Sequence, residues 1–280
     1  MRASLFFILI LLTGCAISNK RISSHLLVKP PADKQLAASK RKDIVSISNN
    51  LFGAGEFTGN NKELIRYRIL APDTVTAQKK YPLVLIFHNS GRIGTDNTAQ
   101  LDVLVKFWAQ DAIRKRYPAY VLAVQFAGRS SNYVKNADSV LTSVPAPGVR
   151  SAIQLVDSLK NALPVDINRI YTIGFSMGAS TANNALMARP DLFAAGVFIS
   201  GIPMQEGFFK LKNTPLWLIH GNDDQENPIP GDRLLYQKMQ GLKSSKILFW
   251  EIEGLQHEIY TPLYTSDIIP QWLFIQTLTF

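Results

Sequence analysis

The chain has 280 residues, 46% of them hydrophobic and 18% charged, enough apolar material for one large domain or two small ones, which excludes a wholly disordered protein. Its formal net charge is +9, but residues 1–42 hold eight Lys/Arg against one acid, Asp33, which leaves 22 basic and 20 acidic residues over 43–280. The body of the chain is nearly neutral, which argues against a nucleic-acid reader.

The first element in chain order is a targeting segment. Arg2 supplies a positive end, "LFFILILL" (Leu5 to Leu12) is an apolar run of signal-peptide length, and "LTGC" ends it at Cys15. The run is too short to span a bilayer as a stable helix. "LTGC" resembles the lipobox of bacterial lipoproteins, which implies cleavage before Cys15 and a membrane anchor through a lipid on that residue. Cys15 is the only cysteine, so no intramolecular disulfide can form. Ala16 stands where an aspartate would favour inner-membrane retention, so the resemblance implies a bacterial cell envelope location on the outer membrane. Residues 16–45, polar and basic, are expected to be a solvated tether between this segment (1–15) and a domain over 46–280.

"LIRYRILAPD" (Leu64 to Asp73) alternates apolar and polar residues in part, as a half-buried strand does. "YPLVLIFHNSG" (Tyr81 to Gly91) is a continuous apolar run bounded by turn residues, the signature of a strand buried on both faces. Ala119–Ala127, Arg169–Ser176, Ala194–Ser200, Thr214–Asn222 and Ser245–Gly254 follow the same pattern. Helical spacing of apolar residues marks Thr98–Tyr117, Val149–Leu163, Gly178–Pro190 and Asp232–Leu242, and a last helix is expected to enter through Pro270. Alternating buried strands and helices predict an α/β fold, a mostly parallel central sheet with helices on both faces. Active sites in such sheets collect at the carboxyl ends of the strands.

At one such end stands "GFSMG", with Ser176 flanked by Gly174 and Gly178. A turn sharp enough to lift a serine hydroxyl above a sheet edge leaves no room for side chains at those two positions, and a helix must start behind it. A serine needs a base to take its proton, and the base needs an orienting acid. Of the four histidines, His25 lies in the expected tether, and His88 and His220 close buried strands, where an imidazole anchors a loop. His257, after the last strand, is the candidate base by elimination. The acid falls between serine and histidine, in "HGNDDQENP", which offers Asp223, Asp224 and Glu226. Asp224 is the choice and Asp223 its rival, because adjacent side chains diverge and only one can face His257. The backbone N–H groups of Met177 and of Ser90 or Asn89 are placed to hold a developing oxyanion. No His/Cys/Asp cluster has metal-ligand spacing, and no cofactor is expected.

These residues resemble the α/β-hydrolase superfamily, and within it the secreted peptidase/carboxylesterase group related to prolyl-oligopeptidase-type and dienelactone-hydrolase-like enzymes. "PLVLIFHNSGRIGTDNTAQL" is similar to that group's strand and oxyanion loop, "IGFSMGA" to its nucleophile elbow, and "PLWLIHGNDDQENP" to its acid segment, with Asp224 at the acid position. The likeness covers about residues 50–280. It departs at Asn89, where the group has glycine, and at "GRIG", where "GERG" is more common. The resemblance implies an α/β-hydrolase fold over 46–280 and a serine carboxylesterase with Ser176, His257 and Asp224 as triad, acting on an ester-bearing small molecule or glycan. The alternatives are a serine peptidase of prolyl-oligopeptidase type and an inactive surface-binding lipoprotein. The segment Gly128–Gly148 is expected to border the pocket, because it follows a strand's carboxyl end.

Overall fold

The computed structural model describes residues 24–30 and 34–278; the signal segment and Cys15 lie outside them. Its elements run in chain order β1 (Ser24–Val28), α1 (Lys34–Ser46), β2 (Gly53–Thr58), β3 (Leu64–Leu70), β4 (Tyr81–Phe87), α2 (Val103–Lys106), α3 (Asp111–Arg116), β5 (Tyr120–Gln125), β6 (Ser131–Lys135) and β7 (Leu141–Pro145). Then follow α4 (Gly148–Ala162), β8 (Val165–Phe175), α5 (Met177–Ala188), β9 (Ala195–Ile199), β10 (Leu216–Gly221), α6 (Pro230–Gly241), β11 (Ile247–Ile252), α7 (Pro262–Thr265) and α8 (Ile268–Phe274).

Nine strands form one sheet in the order β1-β11-β10-β9-β8-β4-β5-β3-β2. β2 and β3 are antiparallel to their neighbours, and all other pairs are parallel. The continuous apolar runs lie in the middle of the sheet, buried on both faces. Alternation then sorts their side chains between two cores. Leu83, Leu85 and Phe87 of β4 join Val149 and Ile153 of α4, Ala182 and Leu186 of α5, and Leu235 of α6 on one face. Val84 and Ile86 join Ile44 of α1, Leu104 of α2, Leu263 of α7 and Leu273 of α8 on the other.

Residues 24–46 depart from the expected tether. β1 pairs in parallel with β11 along its whole length, Ser24 opposite Leu248 and Val28 opposite Ile252. α1 buries Ala37 and Ile44, and its last turn is tied down by Lys106 Nζ, which donates to the Val45 carbonyl at 2.7 Å. The segment's composition is polar because one edge of β1 and most of α1 face water. It nonetheless satisfies the backbone of β11, which would otherwise be the open edge of the sheet.

Three further features differ from the expected elements. The helix expected over 98–117 is broken: the Asp102 side chain accepts from Leu104 N–H at 3.1 Å and caps a new start, and Gln110, with ψ of 131°, is extended between α2 and α3. The segment Gly128–Gly148 carries the hairpin β6–β7. It packs on α5 through hydroxyl and amide groups, with Ser130 and Ser131 Oγ at 2.7 and 3.0 Å from Thr181 Oγ1 and Ser143 Oγ donating to Asn184 Oδ1 at 2.8 Å. The last helix starts at Ile268, two residues ahead of Pro270.

Candidate active site

The parallel register brings the ends of β4 and β8 side by side. Their last pair is Phe87 with Gly174, so His88-Asn89 and Phe175-Ser176 leave the sheet together. Ser176 has φ of 59° and ψ of −126°, a conformation rare for a residue with a side chain and a store of local strain. Its N–H donates to the Ile199 carbonyl at 2.9 Å, which ties the turn to β9. The flanking glycines are required by contact. A Cβ on Gly174 would overlap the backbone of Gly178, and one on Gly178 would overlap the carbonyl of Phe87.

The acid and the base arrive from β10 and β11 in the same way. Gly221 lies so close to Leu255 that a Cβ there would strike its carbonyl, and Asp223 N–H donates to that carbonyl at 3.1 Å. The loop after β11 is thereby pressed onto the loop after β10. His257 Nδ1 sits 2.7 Å from Asp224 Oδ2, and its Nε2 sits 2.8 Å from Ser176 Oγ. A carboxylate only accepts, so Nδ1 carries the proton, and Nε2 is left to accept from the serine hydroxyl. The ring also stacks on Phe175 at 5.0 Å between centroids.

Asp224 is buried and hydrogen-bonded on every side. Oδ1 accepts from the N–H groups of Glu226 and Asn227, both at 2.9 Å. Burial acts to raise its pKa, but hydrogen bonds from His220 and His257 and from Asn227 N–H outweigh that and hold the carboxyl well below the usual carboxylate range. Asp223 points to solvent, and Glu226, also exposed, reaches 3.8 Å from His257 Nε2.

Met177 opens α5 and Ser90 opens a short 3-10 turn, Ser90–Arg92. As first residues, neither N–H has an acceptor within its own helical turn; Met177 directly follows Ser176, and Ser90 lies in the loop after β4. Asn89 has φ of −74° and turns its side chain back to accept from Gly91 N–H at 2.9 Å. Its backbone makes no demand for the glycine that the resemblance leads one to expect. His88 is the loop anchor: Nδ1–H donates to Asn89 O at 2.7 Å, and Nε2 accepts from Phe126 N–H at 3.1 Å. Burial lowers its pKa, against the hydrogen bond to Asn89, so the ring is neutral.

A cavity of about 440 Å³ opens beside His257, with Phe175, Tyr260 and Tyr264 as aromatic walls and Asn89 also in its lining. Pro30, Ala37, Ala38 and Arg41 close it from the N-terminal segment. Sequence reasoning missed these wall residues because segment 24–46 carries no apolar run to place it against the sheet. Gly128–Gly148 contributes none of the described residues of this wall. A larger cavity of about 660 Å³, bordered by Arg150, Asp157 and Arg189, touches none of Ser176, Asp224 and His257. Among the described residues no group of three or more His, Cys, Asp and Glu could hold a metal ion, and no helix is long and apolar enough to cross a membrane.

Residues 146–263 match the phospholipase/carboxylesterase family model, a stretch that contains all three of these side chains. Among solved structures, a thermostable esterase is 30% identical with a TM-score of 0.75, covering 82% of this chain and 64% of its own. A puromycin hydrolase (15% identity, TM-score 0.57, 80% of this chain, 39% of that one) and the Pyrococcus horikoshii acylaminoacyl peptidase (16%, 0.55, 80% and 41%) share the fold. The chain thus spans less than two thirds of the length of each of these three proteins. No curated protein matches the sequence.

Proposed function

The chain has the α/β-hydrolase fold and belongs to that superfamily, and on that premise we propose that it is a serine carboxylesterase. The observation that carries the reading is the unbroken contact from Ser176 Oγ through His257 to Asp224, at 2.8 and 2.7 Å, on a serine held in a strained turn. His257 Nε2 takes the hydroxyl proton as Ser176 Oγ attacks an ester carbonyl, and Asp224 steadies the imidazolium that forms. The N–H groups of Met177 and Ser90 receive the oxyanion. The imidazolium then returns its proton to the leaving alcohol, and water attacks the acyl-enzyme by the same route in reverse.

The substrate's organic portion sits in the aromatic cavity beside His257, between Phe175 and the N-terminal wall. Likeness to an esterase at 30% identity favours esters over the peptide bonds that the more distant relatives' names suggest. Acyl groups on polysaccharides are the glycan version of this substrate class. The N-terminal sequence further supports a chain anchored by a lipid on Cys15 in a bacterial envelope. Incorporation of a fatty-acid label that disappears in Cys15→Ser tests the anchor.

The function is tested on the full chain in mild detergent, with acyl p-nitrophenyl esters beside the matching anilides. Ester turnover that exceeds anilide turnover and vanishes in Ser176→Ala is the expected result. Preference for the anilides moves the assignment to a peptidase. Binding of an ester without turnover makes the protein an inactive member of the fold.

A further inference from the structure

Behind Asp224 lies a second histidine that these steps leave unused. His220 closes β10 with its side chain wholly buried, and each ring nitrogen faces an acceptor. Nε2 is 2.7 Å from the carbonyl oxygen of Asn227 and 3.3 Å from Asp224 Oδ2, and Nδ1 is 2.7 Å from Asp232 Oδ2. A carbonyl oxygen only accepts, so Nε2 must carry a hydrogen. Nδ1 points at a carboxylate on the first turn of α6, itself buried. Two buried carboxylates on either side of one ring cannot both stay ionised unless the ring between them is positive.

We infer that His220 is a positioning residue for the triad, a buried imidazolium paired with Asp232 that holds the Asp224 carboxylate in line with His257 and offsets part of its charge. The chain of contacts then runs Ser176, His257, Asp224, His220, Asp232 without a gap, and only its outer end meets solvent. Burial would lower the pKa of His220, but hydrogen bonds to Asp224 and Asp232 raise it to about 9. Burial raises that of Asp232, against the hydrogen bond from His220. Burial of Asp232 alone would draw the shared proton onto its carboxyl, but the second carboxylate, Asp224 at Nε2, favours the charged ring. Among the described residues, the charged groups facing His220 are Asp224 and Asp232, and those facing His257 are Asp224 and Glu226.

The consequence for chemistry rests on the reading of His257 as the base. A positive ring next to Asp224 weakens the pull of that carboxylate on the His257 proton. Its Nε2 lies against the same carboxylate oxygen that faces His257 Nδ1, and so holds that oxygen in place for the base.

The test uses the full chain in detergent with ring-¹⁵N histidine, followed by NMR against pH alongside the pH profile of kcat/KM for a p-nitrophenyl ester. His220→Gln/Asp232→Asn removes one positive and one negative charge and strands neither. In the wild type, His220 is expected to hold protons on both ring nitrogens to pH 8. In the double variant, the acid limb of kcat/KM is expected to move up by about 0.5–1 pH unit. In Asp232→Asn, which keeps the ring and its packing, His220 is expected to lose its second proton at least about 1 pH unit lower than in the wild type. A singly protonated His220 at pH 7, or an unmoved acid limb in a folded, active double variant, overturns the inference. The ring nitrogens report without turnover, so an inactive wild type would sink the esterase reading while still deciding this one.

Discussion

Asp223 and Asp224 are neighbours of the same type, and the backbone decides between them. Asp223 N–H is held by the Leu255 carbonyl, and the next residue turns inward to accept three hydrogen bonds, from His257 and two loop amides, with His220 Nε2 at 3.3 Å. Asp224→Asn is expected to lower kcat by roughly 10²–10⁴, because an amide can leave His257 in the wrong tautomer; Asp223→Asn is expected to stay within about twofold. Steady-state kinetics on the two variants checks this. The sequence allowed both, since no spacing rule says which of two adjacent side chains faces a histidine 33 positions away. Ser176 and its glycines were legible because a close backbone approach leaves a mark in composition. His220 was legible only as a loop anchor, since its second acceptor, Asp232, comes from a helix that no local pattern places beneath it. The pH dependence of stability follows. A group whose pKa rises from about 6.5 unfolded to about 9 folded stabilises fully below about pH 6.5, and that contribution is lost as the pH rises through 9. The Tm of the wild type, measured against that of His220→Gln/Asp232→Asn, is expected to fall over this interval.

At the scale of elements, apolar continuity separates what was legible from what was not. β4, β9, β10 and the second half of β8 are buried on both faces, and their short apolar runs between turn residues suit central parallel strands. β1 and α1 contribute few buried side chains and are held by the β11 edge, by Ile44 and by Lys106. That is a tertiary arrangement without a local signature. Ile44 is 2% exposed, so Ile44→Ala is expected to cost about 2–4 kcal/mol by denaturant titration. Its KM for esters is expected to rise, because Arg41 and Ala38 on the same helix wall the cavity. A lost stability with an unchanged KM would make α1 a clasp on the fold with no part in the site. The hairpin β6–β7 was unreadable for a related reason. It is bound by hydroxyls and amides, whose partners on α5 are 41 to 53 residues away.

For the whole molecule, the parallel register sets Asn89, Ser176, Asp224 and His257 at one end of the sheet although they span 169 positions of sequence. The order serine, aspartate, histidine along the chain follows from this, since each side chain leaves a later strand. Three close approaches, Gly174 on Gly178, Gly178 on Phe87 and Gly221 on Leu255, keep those ends within hydrogen-bonding distance. Gly178→Ala is expected to destabilise the fold by about 1–3 kcal/mol and to abolish turnover, because the strand end that carries Asn89 and Ser90 must move; thermal melts beside ester kinetics check both. In the proposed reaction Ser176 is an activated nucleophile. A fluorophosphonate probe tests it most directly, incubated with the full chain and mapped by mass spectrometry, with Ser176→Ala and His257→Gln as controls. The expected result is a single phosphonylated residue, Ser176, with labelling at least about 10³-fold slower in His257→Gln. A folded protein that stays unlabelled, or is labelled at another serine, contradicts the account.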